Sequence, residues 1–247
     1  MSEDVLGAMQ ADKQCLVLDL GLTPFAEAWE LQRQIVALRK SGMIPDVLLL
    51  CEHPHVITQG RNGRREHLLA TESVLRQMNV EFCATDRGGD ITYHGPGQLV
   101  GYPILKLDEM HRDVVWYVRQ LEEVMLRASA EYGIAARRAA GKTGVWVDTP
   151  RGDEKLAAIG VHISRWVTSH GFAYNVSTDL RFFDLIIPCG IAGCRATSLE
   201  RQLDRRVSRD EFSGRVLNHF GEVFVRRIEY AGREALKELL TTAEAAV

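Results

Sequence analysis

The run Arg87-Gly88-Gly89-Asp90-Ile91-Thr92-Tyr93-His94-Gly95-Pro96-Gly97-Gln98 sets four glycines and a proline within twelve residues, between the apolar stretches 80–84 and 99–107. Glycine loses more conformational freedom on folding than any other residue, so it is kept where the backbone takes positive φ or meets a ligand closely. The run is neither a dinucleotide-binding G-x-G-x-x-G that opens a helix nor a phosphate loop ending in Gly-Lys-Ser/Thr, because a strand pattern follows it. It reads instead as a substrate-binding loop held between strands. Thr92, Tyr93 and His94 combine hydrogen-bonding groups with flat apolar surface, which suits a ligand with a polar head and an apolar tail. The same Tyr-His pair could also serve as a satisfied core pair in a structural turn.

The rest of the chain supplies a scaffold for such a loop. Its 247 residues, 46% of them hydrophobic, are enough for an enzyme-sized core. A formal net charge of −3 gives no global attraction to nucleic acid or to an anionic membrane. No apolar run approaches the roughly 20 residues that span a bilayer, and the N-terminus lacks a secretory pattern, so a soluble cytoplasmic protein is expected. Five scattered cysteines suit a reducing compartment better than a disulfide framework.

Residues 16–20 read as a strand, after which Thr23-Pro24 offers a cap and a first-turn proline to a helix with Phe25, Ala28, Leu31, Ile35 and Leu38 on one face and Gly42 at its end. Strands follow at 46–51 and 80–84, with extended chain at 99–107. Val114, Val118, Leu121, Met125 and Ala128 mark the clearest helix, which ends by Gly133. Segments 144–148, 155–164 and 171–176 suggest an antiparallel meander. A helix carries Phe212, Val216, Phe220 and Val223, and another begins at Glu234. No linker or repeat divides residues 1–247. Strands that cluster without regular alternation with helices indicate a single α+β domain, a mixed or antiparallel sheet with flanking helices.

Two side chains could carry chemistry. Cys189, in Ile187-Pro188-Cys189-Gly190, follows an apolar run, and its neighbours would fix a thiol at a strand end; a free cysteine is otherwise a small buried hydrophobe. A thiol needs a nearby cation or base to become reactive. Lys155, which enters the small-residue stretch Leu156-Ala157-Ala158-Ile159-Gly160, is the candidate singled out, against the alternative of a solvated lysine at a hairpin end. Cys194 lies five residues beyond Cys189, but no clustered histidines complete a zinc set, so no metal is expected.

Three ordered motifs turn these options into one. Arg87-Gly88-Gly89-x-x-Thr92-Tyr93-His94-Gly95-Pro96-Gly97-Gln98-Leu99-Val100-x-Tyr102-Pro103, then Lys155-x-Ala157-Ala158-Ile159-Gly160, then Pro188-Cys189-Gly190-Ile191, together resemble the lipoyl(octanoyl) transferases of lipoate biosynthesis. The resemblance runs from Leu48 to Leu199 and departs mildly at Cys194-Arg195-Ala196 and in the long segment 60–65. It implies a fold like the catalytic domains of biotin and lipoate protein ligases. It also implies transfer of an octanoyl group from octanoyl-acyl carrier protein, through a cysteine thioester, to a lysine on lipoyl domains of 2-oxoacid dehydrogenase E2 subunits and of the glycine cleavage H protein. No cofactor is implied. Cys189 and Lys155 then map to the catalytic pair, and the acyl site maps to Arg87, Gly88, Gly89, Asp90, Ile91, Thr92, Tyr93, His94, Ala158, Ile159, Gly160, Gly171, Phe172 and Ala173. Burying the tail's CH₂ groups, at about 0.8 kcal/mol each, would contribute roughly 5 to 6 kcal/mol. An ATP-dependent lipoate or biotin ligase shares the implied fold and needs no cysteine nucleophile. Arg61, Arg64, Arg65, Arg137, Arg138 and Lys142 are candidate docking cations for an acidic carrier protein.

Overall fold

A computed structural model describes residues 13–188 and 193–232, together with position 241. The helix expected from Glu234 and the residue Cys189 lie outside the described residues.

The strands are β1 (Gln14–Leu22), β2 (Asp46–Glu52), β3 (Val56–Gln59), β4 (Glu81–Ala84), β5 (Ile91–His94), β6 (Gln98–Ile104), β7 (Ala136–Ala139), β8 (Lys142–Thr149), β9 (Gly152–Ser164), β10 (Val167–Asn175), β11 (Arg195–Ala196) and β12 (Arg227–Tyr230). The helices are α1 (Phe25–Ser41), α2 (Glu72–Gln77), α3 (Val114–Ala130), α4 (Leu199–Leu203) and α5 (Arg209–Phe224). A mixed sheet runs in the order β12-β1-β2-β6-β10-β9-β8-β7, with β11 added to β9, and β4-β3-β5 form a smaller sheet. The α+β expectation with flanking helices is met.

The continuous apolar run of β2 follows from cover on both faces. Leu48 and Leu50 pack toward α3 and α5, with Leu121, Met125, Val216 and Phe220. Val47, Leu49 and Cys51 turn the other way toward Ala28, Ile35 and Leu38 of α1. This is the two-residue alternation of a strand laid between two helical layers.

Three expectations shift. Pro24 itself stands at the N-cap of α1, and Thr23 Oγ1 donates to Leu20 O at 2.9 Å instead of capping the helix. In α3, Tyr117 and Val124 join Leu121, Met125 and Ala128 in the core, while Val114 is exposed and Val118 half-buried. Most significantly, the glycine run is no continuous loop: residues 91–94 form the fully buried strand β5. The glycines provide only the turns at its two ends.

Strand β9 positions the site. Its first half pairs with β8, from Thr149↔Gly152 to Val145↔Ala157, and its second half pairs with β10, from Tyr174↔Ala157 to Val167↔Ser164. Where β10 ends, the short β11 takes its place beside β9, at Glu154 and Lys155. Lys155 therefore lies where one edge of β9 changes neighbour. Among the described residues, no helix is long and apolar enough to cross a membrane.

Candidate active site

One cavity of about 600 Å³ opens between the glycine turn at 87–90, strand β5 and the facing strands β9 and β10. Arg87, Gly88, Gly89, Asp90, Ile91, Thr92, His94, Lys155, Ala158, Ile159, Gly160, Gly171, Phe172 and Ala173 all line it. Tyr93 does not. Strand alternation sends its ring to the other face, where it stacks on Phe182 at 5.0 Å and packs with Ile57 and Leu75, and its hydroxyl meets His55 Nδ1 at 2.7 Å.

Close packing of backbone on backbone explains the glycines at the centre of this wall. The N–H of Gly88 donates to Val161 O at 2.8 Å, and a Cβ at Gly160 would sit 2.9 Å from Gly88 O. Opposite, a Cβ at Gly171 would fall 2.2 Å from Gly101 O. With Ala158 paired to Ala173 and Gly160 to Gly171, the β9 and β10 walls present small side chains along the cavity.

The polar lining is directed inward, into the protein. Arg87 is buried and donates to Thr58 O at 2.7 Å and to Thr58 Oγ1 at 3.0 Å. With those lone pairs used, Thr58 Oγ1–H donates to His94 Nε2, 3.3 Å away. The other ring nitrogen, Nδ1, donates to Gln98 Oε1 at 2.8 Å. Gln98 Nε2 donates to Asn175 Oδ1 at 2.9 Å, and Asn175 Nδ2 donates to Thr197 O at 2.9 Å. Thr197 N–H closes the chain on Lys155 O, also at 2.9 Å. Asp90 holds the turn by accepting from Ile91 N–H and facing His67 Nδ1 at 2.5 Å.

Three imidazoles gather at this wall, and burial disfavours the charged form of each. His94 is pushed down to about 3, with His53 beside it as a second cause. His53, hydrogen-bonded to Tyr102 at 2.7 Å, is pushed down to about 4. His170 is lowered by burial against the pull of Asp86, 2.7 Å away, and that hydrogen bond takes Asp86 down to about 2. The His94 ring, held neutral by burial, beside Phe25, Tyr102 and Val100 makes this part of the wall suited to an apolar chain.

Lys155, like Arg87, is a buried basic side chain of the cavity, its Nζ 4.5 Å from the centre of the Trp146 ring. Beside it a small cavity of about 10 Å³ is lined by Thr92, Ala158, Ala173, Pro188, Cys194 and Arg195 among others. Pro188, immediately before Cys189, and Cys194, five residues after it, thus both reach the place where β9 changes neighbour. Among the described residues no cluster of metal ligands forms.

Phe25, Tyr102, Val114, Val118, Lys142 and His170 also line the large cavity and were not expected there. Tyr102 sits within the motif region, but its direction depends on a long-range register that one sequence does not reveal. Val114 and Val118 share a face by helical spacing, which had assigned them to the core.

The sheet order, the helical layers and a cavity between the glycine turn and β9 define a ligase-like catalytic domain. Residues 24–221 match the lipoyl protein ligase A/B catalytic domain, and the chain belongs to that family. Its curated relatives bear out the resemblance to octanoyltransferases. The octanoyltransferase of Solibacter usitatus is 51% identical over 212 residues, covering 86% of this chain and 94% of that protein. That of Rubrobacter xylanophilus is 50% identical, covering 87% and 97%. Among solved structures, lipoate-protein ligase A bound with ATP superposes with a TM-score of 0.70 at 18% identity, covering 94% of this chain and 93% of that one. The bipartite lipoate protein ligase of Thermoplasma acidophilum gives 0.70 at 17%, covering 94% and 91%. Both share the fold.

Proposed function

We propose that this chain, working as one catalytic domain, transfers an octanoyl group from octanoyl-acyl carrier protein to the ε-amine of a lysine on a lipoyl domain, with Cys189 as the acyl carrier and Lys155 as its partner. The observation that carries this reading is Lys155, a buried lysine in the wall of the cavity, beside Pro188 and Cys194 on either side of the Cys189 segment in the chain. Its relatives' activity points the same way.

In the first step the Cys189 thiolate attacks the donor thioester carbonyl. A new C–S bond forms, the donor C–S bond breaks, and the donor thiol leaves with one proton. In the second step the neutral acceptor amine attacks the enzyme thioester; the amide forms, a proton leaves the nitrogen, and the Cys189 thiol is restored. Lys155 can hold the thiolate as a cation or move the proton as a base. The residues from Arg87 to His94, together with Ala158 to Gly160 and Gly171 to Ala173, would seat the chain. Tyr93 would support that seat from behind, through the small sheet.

Intact-protein mass spectrometry after incubation with octanoyl-acyl carrier protein tests this reading. The expected result is one hydroxylamine-labile octanoyl adduct, retained in Cys194→Ala and lost in Cys189→Ala. An adduct that survives Cys189→Ala refutes the assignment, and a strict ATP requirement for transfer would favour a ligase.

A further inference from the structure

A second cavity of about 600 Å³ adjoins the small gap beside Lys155. It shares Pro188, Cys194 and Arg195 with the small gap beside that lysine, and the gap in turn shares Lys155, Ala158 and Ala173 with the first cavity. The three spaces follow one another with Lys155 in the middle.

The walls of this second cavity differ in charge from the rest of the molecule. Arg151, Arg181, Arg195 and Arg201 stand against only two carboxylates, Glu154 and Asp184, in a chain whose formal charge is −3. Arg151 pairs with Glu154 at 2.6 Å and Arg181 with Asp179 at 2.6 Å. Arg195 donates to Arg151 O at 3.4 Å, and among the described residues no carboxylate reaches ion-pair distance of Arg195 or Arg201. By contrast, five of the six cations singled out from the sequence are already paired: Arg64 with Glu66, Arg65 with Glu72, Arg137 with Asp148 and Asp153, Arg138 with Glu122 and Glu123, and Lys142 with Asp153.

We infer that this second cavity receives the phosphodiester of the donor's phosphopantetheine arm, gripped by Arg195 and Arg201. The inference rests on the transfer reading above. A guanidinium offers a planar fork of donors that matches phosphate oxygens, and such charge-assisted bonds are about twice as strong as neutral ones. The order of spaces fits a linear donor. Its phosphate lies among the guanidiniums, its thioester reaches Lys155 and its acyl tail extends into the first cavity.

The test compares two small donors, octanoyl-4′-phosphopantetheine and octanoyl-pantetheine, which differ only in the phosphate. Wild-type protein should prefer the phosphorylated thioester in kcat/KM by roughly tenfold or more, the worth of about one charge-assisted contact. The preference should vanish in Arg195→Ala/Arg201→Ala and return in part in Arg195→Lys/Arg201→Lys. Equal use of the two donors by wild type overturns the docking inference alone, as does a preference untouched by the alanine pair. Transfer from neither thioester nor from the carrier protein would instead overturn the transfer reading, and the docking with it.

Discussion

The buried imidazoles make acid a specific threat to this fold, with a size that can be worked out. His94 and His53 have folded pKa values of about 3 and about 4. An unfolded histidine titrates near about 6.5, so below that pH the unfolded chain binds protons that the folded chain refuses. Stability from this source is complete above pH 6.5 and is lost as pH falls toward 4 and then 3. Between pH 7 and pH 5 each ring removes about 2 kcal/mol, or about 4 kcal/mol together, a large share of the roughly 5–15 kcal/mol that holds a typical domain. Carboxylates contribute little in that window, because their ordinary values lie lower. The assay is urea unfolding at pH 7, 6 and 5 at fixed ionic strength, on wild type, His94→Gln and His53→Gln. The readout is the pH slope, since each substitution also changes stability at pH 7 by removing hydrogen bonds. Each variant should lose about 2 kcal/mol less than wild type between pH 7 and pH 5. A wild-type midpoint that does not move between pH 7 and 5, or a His94 ring that titrates near 6.5 by NMR, would refute the reasoning.

Other consequences follow at single residues. Lys155→Met keeps the aliphatic stem against Trp146 and should fold, with a normal thermal transition, yet lose most octanoyl transfer; turnover within a few fold of wild type would take the ammonium out of the chemistry. Ala158→Leu pushes three carbons into the cavity and should displace as many methylenes of the tail. At about 0.8 kcal/mol each, about 2.4 kcal/mol in all, that is roughly sixtyfold against octanoyl, so competition between octanoyl and shorter thioesters should tip toward the shorter chain. Gly171→Ala forces a methyl to 2.2 Å from Gly101 O and 2.6 Å from Pro103 Cδ, parts that cannot rotate away. It should cost about 1–3 kcal/mol or more, measured by urea unfolding, and a neutral result would mean that β10 and β6 are not so closely apposed.

Local signals in the sequence proved most legible where one element decides the outcome. The apolar run of β2, the stop at Gly42 (φ 76°) and the meander β8–β10 all depend on neighbours in the chain, and each was readable there. The motif residues also converge: fourteen of the sixteen site residues expected from the sequence line one cavity. What remained illegible depends on tertiary register. Tyr93 and His94 are adjacent, and only the pairing of β5 with β3 determines that His94 faces the cavity while Tyr93 faces Phe182. The periodicity of α3 located the helix but misplaced its buried face, because Val114 and Val118 border an open cavity and Tyr117 takes the core position. His170 gives no local sign of its role. Its place follows from pairing across β9 and from Gln32, whose side chain accepts its N–H at 2.8 Å.

The directed chain from Arg87 to Lys155 links acid stability to the site. Arg87 uses the lone pairs of Thr58, so Thr58 must donate to His94 Nε2, and that nitrogen must be bare. Protonating it would set two donors face to face in a place shielded from water, where an unmet polar group costs about 1–3 kcal/mol. The ring would have to turn or leave, and Gln98 and Asn175, each tied to the next, would lose their fixed partners. The far end of that chain is Thr197, whose carbonyl accepts from Asn175 and whose N–H holds the backbone of Lys155. Because the folded ring takes up a proton only near pH 3, acid reaches Lys155 by favouring the unfolded chain and not by rearranging these hydrogen bonds within the fold. Transfer activity lost to acid at this ring should follow the unfolding transition and not precede it, and His94→Gln, which cannot take the proton, should make both curves less steep between pH 7 and 5.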